Sequence, residues 1–180
     1  MKLEQTNRII IKIGSALLFN ETSGSLNKEW LNSLAEDVKY LRENDKEVII
    51  VSSGAIAMGA KDLDLDMKNM KMDMNQAVSA VGQIHLMGSF KSAFEKNEIK
   101  ISQILLTLDD TEQRRRSINA RRTIDTLLKL GIVPVVNEND TIATSEIRYG
   151  DNDRLASRVA QITSADCLIL LSNINGLYSA

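Results

Sequence analysis

Residues 133–153 read VPVVNENDTIATSEIRYGDND. The apolar run Ile132 to Val136 stops abruptly in Asn137-Glu138-Asn139-Asp140, and a second polar knot, Gly150-Asp151-Asn152-Asp153, follows. A buried strand that ends in carboxylates and amides delivers them at the carboxyl edge of a sheet, where open α/β sheets bind ligands. Amides donate and accept hydrogen bonds, whereas carboxylates only accept. The set therefore suits a zwitterion, meeting its ammonium with carboxylates and its carboxylate with amide N–H groups, or an amine or a metal. The competing reading is a solvated Asn/Asp loop with Asp151 as a helix N-cap.

Outward from this stretch, strand and helix patterns alternate. Arg8 to Ile13 (RIIIKI) reads as a buried strand followed by Gly14-Ser15. Lys12 interrupts it. An ammonium is costly to bury without a partner, so Lys12 should emerge at the strand tip facing something anionic; the alternative is a lysine snorkelling off an edge strand. Gly14 and Ser15 offer backbone N–H groups that a phosphate can approach. Asn27 to Glu43 carries Leu31, Leu34, Ala35, Val38 and Leu41 at the helical period, with Asn27 as N-cap. Glu47 to Val51 is a second strand. It runs into Ser52-Ser53-Gly54-Ala55, small residues that allow a helix N-terminus to hold an anion or merely to pack closely.

Lys61 to Met74 alternates Asp and Lys with Met67, Met70, Met72 and Met74. A variable surface loop is the favoured reading, and a lid or partner contact the other. Asn75 to Glu95 is expected as a helix with Ala77, Val81, Ile84 and Gly88 on its packed face, and His85 as a packed or surface histidine. Ile99 to Leu106 is a third strand. Asp109, Asp110 and Thr111 cap a helix expected to run to about Leu130, with Gly131 as its C-cap. Its arginines, Arg114, Arg115, Arg116, Arg121 and Arg122, are diluted by acids and lack interleaved aromatics. A solvated face or subunit contact fits them better than nucleic acid. Asp151 to Thr163 is a further helix with Leu155, Val159 and Ile162 inward, and Cys167 to Leu171 a fifth strand ending in Ser172-Asn173. Pro134 implies an edge or strand-start position. The alternation defines an α/β fold, a mainly parallel sheet sandwiched by helices.

The 180 residues, 43% hydrophobic and 26% charged with a net charge of −2, are expected to form one domain without a drive toward nucleic acid or membrane. No apolar run reaches the roughly 18 residues of a membrane span, and no secretory signal is read at the N-terminus. The single Cys167 and single His85 argue against a disulfide and against a His/Cys metal site, and a reducing, cytoplasmic setting follows. Neither a Walker-type phosphate loop nor a Gly-x-Gly-x-x-Gly fingerprint is present. Phosphoryl transfer needs mainly positioning and positive charge, which a tip lysine, glycine N–H groups and carboxylates would supply.

The blocks IIIKIGSALL, IIVSSGAIAMG, VPVVNENDTIATSEIRYGDND and LLSNINGLYSA resemble, in order and spacing, the glutamate 5-kinases of the amino-acid kinase superfamily. The resemblance covers essentially the whole chain and implies a three-layer α/β/α fold. It implies transfer of the ATP γ-phosphate, with Mg2+, to the side-chain carboxylate of L-glutamate, the first step of proline synthesis. Proline feedback inhibition and a homo-oligomer, dimer or tetramer, are also implied. By position, Lys12 matches the lysine that stabilises the transferring phosphoryl group. Asp151 and Asp153 match the acidic pair at the reaction centre. Ser53, Gly54, Ala55, Asn137, Asp140 and Asn152 fall where the family holds glutamate, with Arg148 where a lysine is common. Ser172 and Asn173 fall on ATP-binding positions usually occupied by Thr-Asp, and Gly14 and Ser15 join Lys12 on the nucleotide side. The family continues beyond the position of Ala180 with a glycine-rich GTGGM segment, a second catalytic lysine and, in some members, an RNA-modification-type (PUA) domain. The resemblance therefore implies a single kinase domain, 1–180, with its glutamate half largely present and its ATP half missing, and little activity of these residues alone.

Overall fold

The computed structural model describes residues 3–20, 25–68, 70–143, 151–173 and 176. Branched residues set the strands. They are β1 (Arg8–Ile13), β2 (Glu47–Ser52), β3 (Ile101–Leu106), β4 (Val133–Glu138) and β5 (Cys167–Leu171). They form one parallel sheet in the order β3-β4-β2-β1-β5. Between them lie α1 (Ser15–Leu18), α2 (Lys28–Glu43), α3 (Ala55–Asp62), α4 (Met72–Glu95), α5 (Leu108–Glu112), α6 (Arg114–Lys129) and α7 (Asp151–Thr163).

Strand residues alternate between the two faces. Ile9, Ile11, Ile13, Val48, Ile50, Val133 and Val135 pack against Leu31, Leu34, Ala35 and Val38 of α2 and Leu86, Phe90 and Phe94 of α4. Ile10, Ile49, Val51 and Val136 face Ala120 and Ile124 of α6 and Leu155, Ala156 and Val159 of α7. Phe90 and Phe94 are fully buried, with ring centroids 6.0 Å apart. Burial of such a side chain contributes about 1.5–3 kcal/mol.

The helices that follow β1 and β2 pack on one face and those that follow β3 and β4 on the other. Neighbours β2 and β4 thus send their chains to opposite sides, which opens a crevice between their carboxyl ends. Doubly wound sheets bind ligands at such a switch point.

Several boundaries differ from the sequence reading. The strand expected from Ile99 starts at Ile101. The helix expected from Asp109 to Leu130 is broken at Gln113 into α5 and α6, because Thr107 and Asp110 close a capping box around a separate short turn. Gly131, at φ +71, ends α6 as expected. The Met-rich stretch is divided: α3 extends through Asp62, and α4 begins at Met72.

The packed face of α4 is corrected. Val78, Gly82, Leu86 and Phe90 are buried, whereas Ile84 is 75% exposed and a side chain at Gly88 would meet nothing. Apolar residues surround most of this helix, so periodicity alone does not choose its buried face. Gly82 is where close packing occurs. A Cβ there would lie 1.8 Å from the Ala55 carbonyl oxygen, and one at Gly59 would lie 1.9 Å from that of Val78. Helices α3 and α4 therefore meet backbone to backbone.

Pro134 sits in an interior strand rather than at an edge, but near its start. Val133 N–H donates to Lys100 O, so the missing N–H of Pro134 falls on the β2 side. Pairing with β2 begins only at Val135, and no ladder bond is lost.

Candidate functional site

The carboxyl ends of β1, β2, β4 and β5 and the start of α7 enclose one cleft of about 440 Å3. From β1 come Lys12, Gly14 and Ser15; from the β2–α3 turn, Ser53, Gly54 and Ala55. Asn137 and Asp140 enter from β4, Asn152 and Asp153 from α7, and Ser172 and Asn173 from the end of β5. The structure thus gathers these expected site residues at the switch point. Arg148 lies outside the described residues, as does the side chain of Asp151.

Strand alternation aims Lys12 to the same side as Ile10, the side that α7 covers. Lys12 Nζ there meets Asp153 Oδ1 at 2.7 Å, with side-chain exposures of 11% and 47%. The lysine is no edge-strand snorkel: β1 lies between β2 and β5. Gly14 N–H donates to Leu171 O, which ties the β1 and β5 tips. Gly14 has ordinary extended dihedrals, and a Cβ there would make ordinary contacts, 3.4 Å from Leu171 O and 3.8 Å from Lys12 Nζ.

Ser53 Oγ donates to Ile13 O at 3.0 Å and joins the β1 and β2 tips. Gly54, at φ +103, caps α3 in a left-handed conformation, and a Cβ there would lie 2.8 Å from the Phe19 ring. Glycine meets both demands. The first N–H groups of α3 consequently face the cleft without a side-chain cap.

The β4 tip is buried and heavily bonded. Asn137 Nδ2 donates to Gln83 Oε1 at 2.8 Å, and its Oδ1 accepts from Glu138 N–H at 2.9 Å. Ser79 Oγ donates to Asp140 Oδ2 at 2.5 Å, and Gln76 Nε2 to Ala143 O at 3.0 Å. Gln76, Ser79 and Gln83 were not singled out by the sequence. Their signal was available, as polar residues at i, i+3 and i+7 on one face of an otherwise apolar helix. Met67 also lines the cleft from the Met-rich stretch.

Among the buried polar atoms without a hydrogen-bond partner among the described residues, two lie at or near the cleft: Asn152 Oδ1, in its lining, and Gln83 Nε2, behind Asn137. Each such orphan costs about 1–3 kcal/mol. Among the described residues no three His, Cys, Asp or Glu side chains cluster as a metal cage. His85 pairs with Asp62 at 3.3 Å on the α3–α4 surface, away from the cleft lining. The α6 arginines include an ion pair from Arg116 to Asp110 at 2.9 Å. Asp110 itself is pulled upward by burial, but bonds from Thr107 and the Arg116 charge outweigh this and leave its pKa below the ordinary value.

At the opposite edge of the sheet, Asp166 Oδ2 accepts from Asn7 N–H at 2.7 Å and Arg8 N–H at 2.8 Å. These backbone bonds hold its pKa below the ordinary value. Arg8 bonds Glu47 at 2.7 Å and Asp125 at 2.9 Å. Burial alone would lower its pKa, but these acids raise it. This network closes β1, β2 and β5 and stays clear of the cleft.

A doubly wound α/β sandwich with a half-buried lysine, a helix N-terminus and a carboxamide-rich tip at one switch point defines an α/β protein with a polar cleft. The amino acid kinase family model matches residues 7–180, and the chain belongs to that family. It is 60% identical over 179 residues to a glutamate 5-kinase of Pelagibacter ubique, across 99% of this chain and 48% of that protein. It is 56% identical over 178 residues to glutamate 5-kinase 1 of Mesorhizobium japonicum, across 99% and 47%. A glutamate 5-kinase of Rhodospirillum rubrum is 55% identical over 171 residues, across 95% and 46%. The chain spans about half the length of the curated relatives it matches. No described helix is long and apolar enough to cross a membrane.

Proposed function

We infer that these residues form the glutamate-holding and phosphoryl-stabilising part of a glutamate 5-kinase. The observation that carries the reading is the Lys12–Asp153 pair at 2.7 Å in the same cleft as Asn137 and Asp140. The relatives that are 55–60% identical to this chain are named glutamate 5-kinases.

In this reading the ammonium of L-glutamate is met by the Asp140 carboxylate and by Asn152 Oδ1, whose missing partner suits a donor. The α3 N-terminus at Ser53-Gly54-Ala55 and the Asn137 amide take carboxylate oxygens. A side-chain carboxylate oxygen forms a bond to the γ-phosphorus as the bond to the ADP oxygen breaks. Lys12 Nζ neutralises the equatorial phosphoryl oxygens. Asp153 fixes the direction of Nζ. The reading gives Ser172 and Asn173 to the nucleotide, Arg148 to glutamate, and Asp151 to the reaction centre with Asp153.

Mg2+ fits this donor set, since the ion needs only one or two carboxylates besides substrate phosphates. Asp153, with Asp151, would hold it, and it would supply charge neutralisation to the phosphates. The reading includes cytoplasmic placement, a homo-oligomer and sensitivity to proline. The test is ATP consumption with L-glutamate, Mg2+ and hydroxylamine as acyl-phosphate trap, run on the full-length protein, beside glutamate titration of residues 1–180. Trapped hydroxamate is the expected result. Its absence, with no glutamate bound, would overturn the reading.

A further inference from the structure

We propose that Gln83 is a positioning residue for the proposed glutamate site: it sets the direction in which the Asn137 amide faces the cleft. The inference rests on the glutamate reading above. Gln83 is not among the residues lining the cleft, so it acts through Asn137.

The direction is set by a chain of bonds that starts at the backbone. Glu138 N–H needs an oxygen and takes Asn137 Oδ1. Asn137 Nδ2 must therefore turn toward α4, where only an acceptor satisfies it, and Gln83 presents Oε1 at 2.8 Å. With one Nδ2 hydrogen committed, only the other can meet a ligand. Asn137 cannot flip without setting its NH2 against Glu138 N–H.

This arrangement leaves Gln83 Nε2 buried with no partner among the described residues. A methionine would fill similar space without that orphan, so packing alone does not favour glutamine here. Orientation of Asn137 does. Gln83 also adjoins Gly82, where α4 meets the backbone of α3. Its carboxamide is thus held in fixed relation to the α3 N-terminus on the other side of the cleft. Ser79, bonded to Asp140, extends the same clip to the neighbouring carboxylate.

The test is Gln83→Met in the full-length protein, with Asn137→Ala and the double variant. The glutamate KM should rise about tenfold in Gln83→Met, the size of one lost buried hydrogen bond. The KM for ATP, the kcat and the Tm should change little. The double variant should be no worse than Asn137→Ala alone, since both remove one interaction. An unchanged glutamate KM, or additive losses, would overturn the role of Gln83 while leaving the glutamate reading intact. Wild-type protein that neither binds glutamate nor forms acyl phosphate would overturn both. Should Gln83→Met fail to fold, Gln83→Leu removes the same Oε1 acceptor. A glutamate KM raised about tenfold there supports the positioning role, and an unchanged one overturns it.

Discussion

Lys12 Nζ and Asp153 Oδ1 lie 2.7 Å apart, joining the tip of β1 to the first turn of α7. The lysine side chain is only 11% exposed, so its direction is determined by its partner rather than by solvent. Lys12→Ala is expected to lower kcat by about a hundredfold or more, the scale of losing one preorganised charge at a reacting group. Glutamate binding should persist. Steady-state kinetics with calorimetry checks this, and unchanged turnover would remove Lys12 from the mechanism.

Asp140 is 8% exposed and accepts from Ser79. Asp140→Ala should weaken glutamate binding by about thirtyfold, or about 2 kcal/mol for a charged hydrogen bond. The effect on ATP should be much smaller. Equal losses for both ligands would mean that Asp140 supports the whole cleft rather than the acceptor side.

The α3–α4 crossing makes a signed prediction about three glycines. Gly82→Ala and Gly59→Ala each place a Cβ under 2 Å from a carbonyl oxygen and should destabilise by about 1–3 kcal/mol or more. Gly88→Ala, in the same helix as Gly82 but open to solvent, should stabilise by about 0.4–1 kcal/mol. Thermal unfolding of the three variants reads both signs at once.

Asp166 carries the pH prediction. Its folded pKa is depressed by the Arg8 and Asn7 backbone N–H groups, so its contribution is fully present above its unfolded value, near 4. It is lost as pH falls through the lower folded value. Asp166→Ala should therefore unfold at a lower temperature than wild type from pH 7 down to about 5. The gap should close below about pH 4. A gap that stays constant across that range would assign the effect to shape rather than charge.

Much of this could be read from residues 8–15, 47–59 and 132–153 because each shows a strand pattern that switches to polar or glycine chemistry at its end. Strand tips in a parallel sheet share one edge, so the tips converge without any contact being known. Lys12 was informative for a related reason, as a charge in an apolar run must find a partner. The clip from α4 was not recognised because its polar residues sit on a helix whose apolar residues face most directions, and the wrong face was assigned. The break at Gln113 was hidden by a favourable helical pattern on both sides. It depends on the capping box between Thr107 and Asp110, whereas the sequence reading places the cap at Asp109, Asp110 and Thr111.

The sheet order has a consequence for how the protein is made. β1 leaves the ribosome early, yet its partners β5 and α7 come from the opposite end of these residues. At about 5–20 residues per second, Lys12 waits on the order of ten seconds before Asp153 has been synthesised. Late in that interval a nascent chain holds strands β1 to β4 and a lysine that still lacks Asp153. The Lys12–Asp153 corner is therefore assembled late, and a stalled ribosome displays a precursor without it.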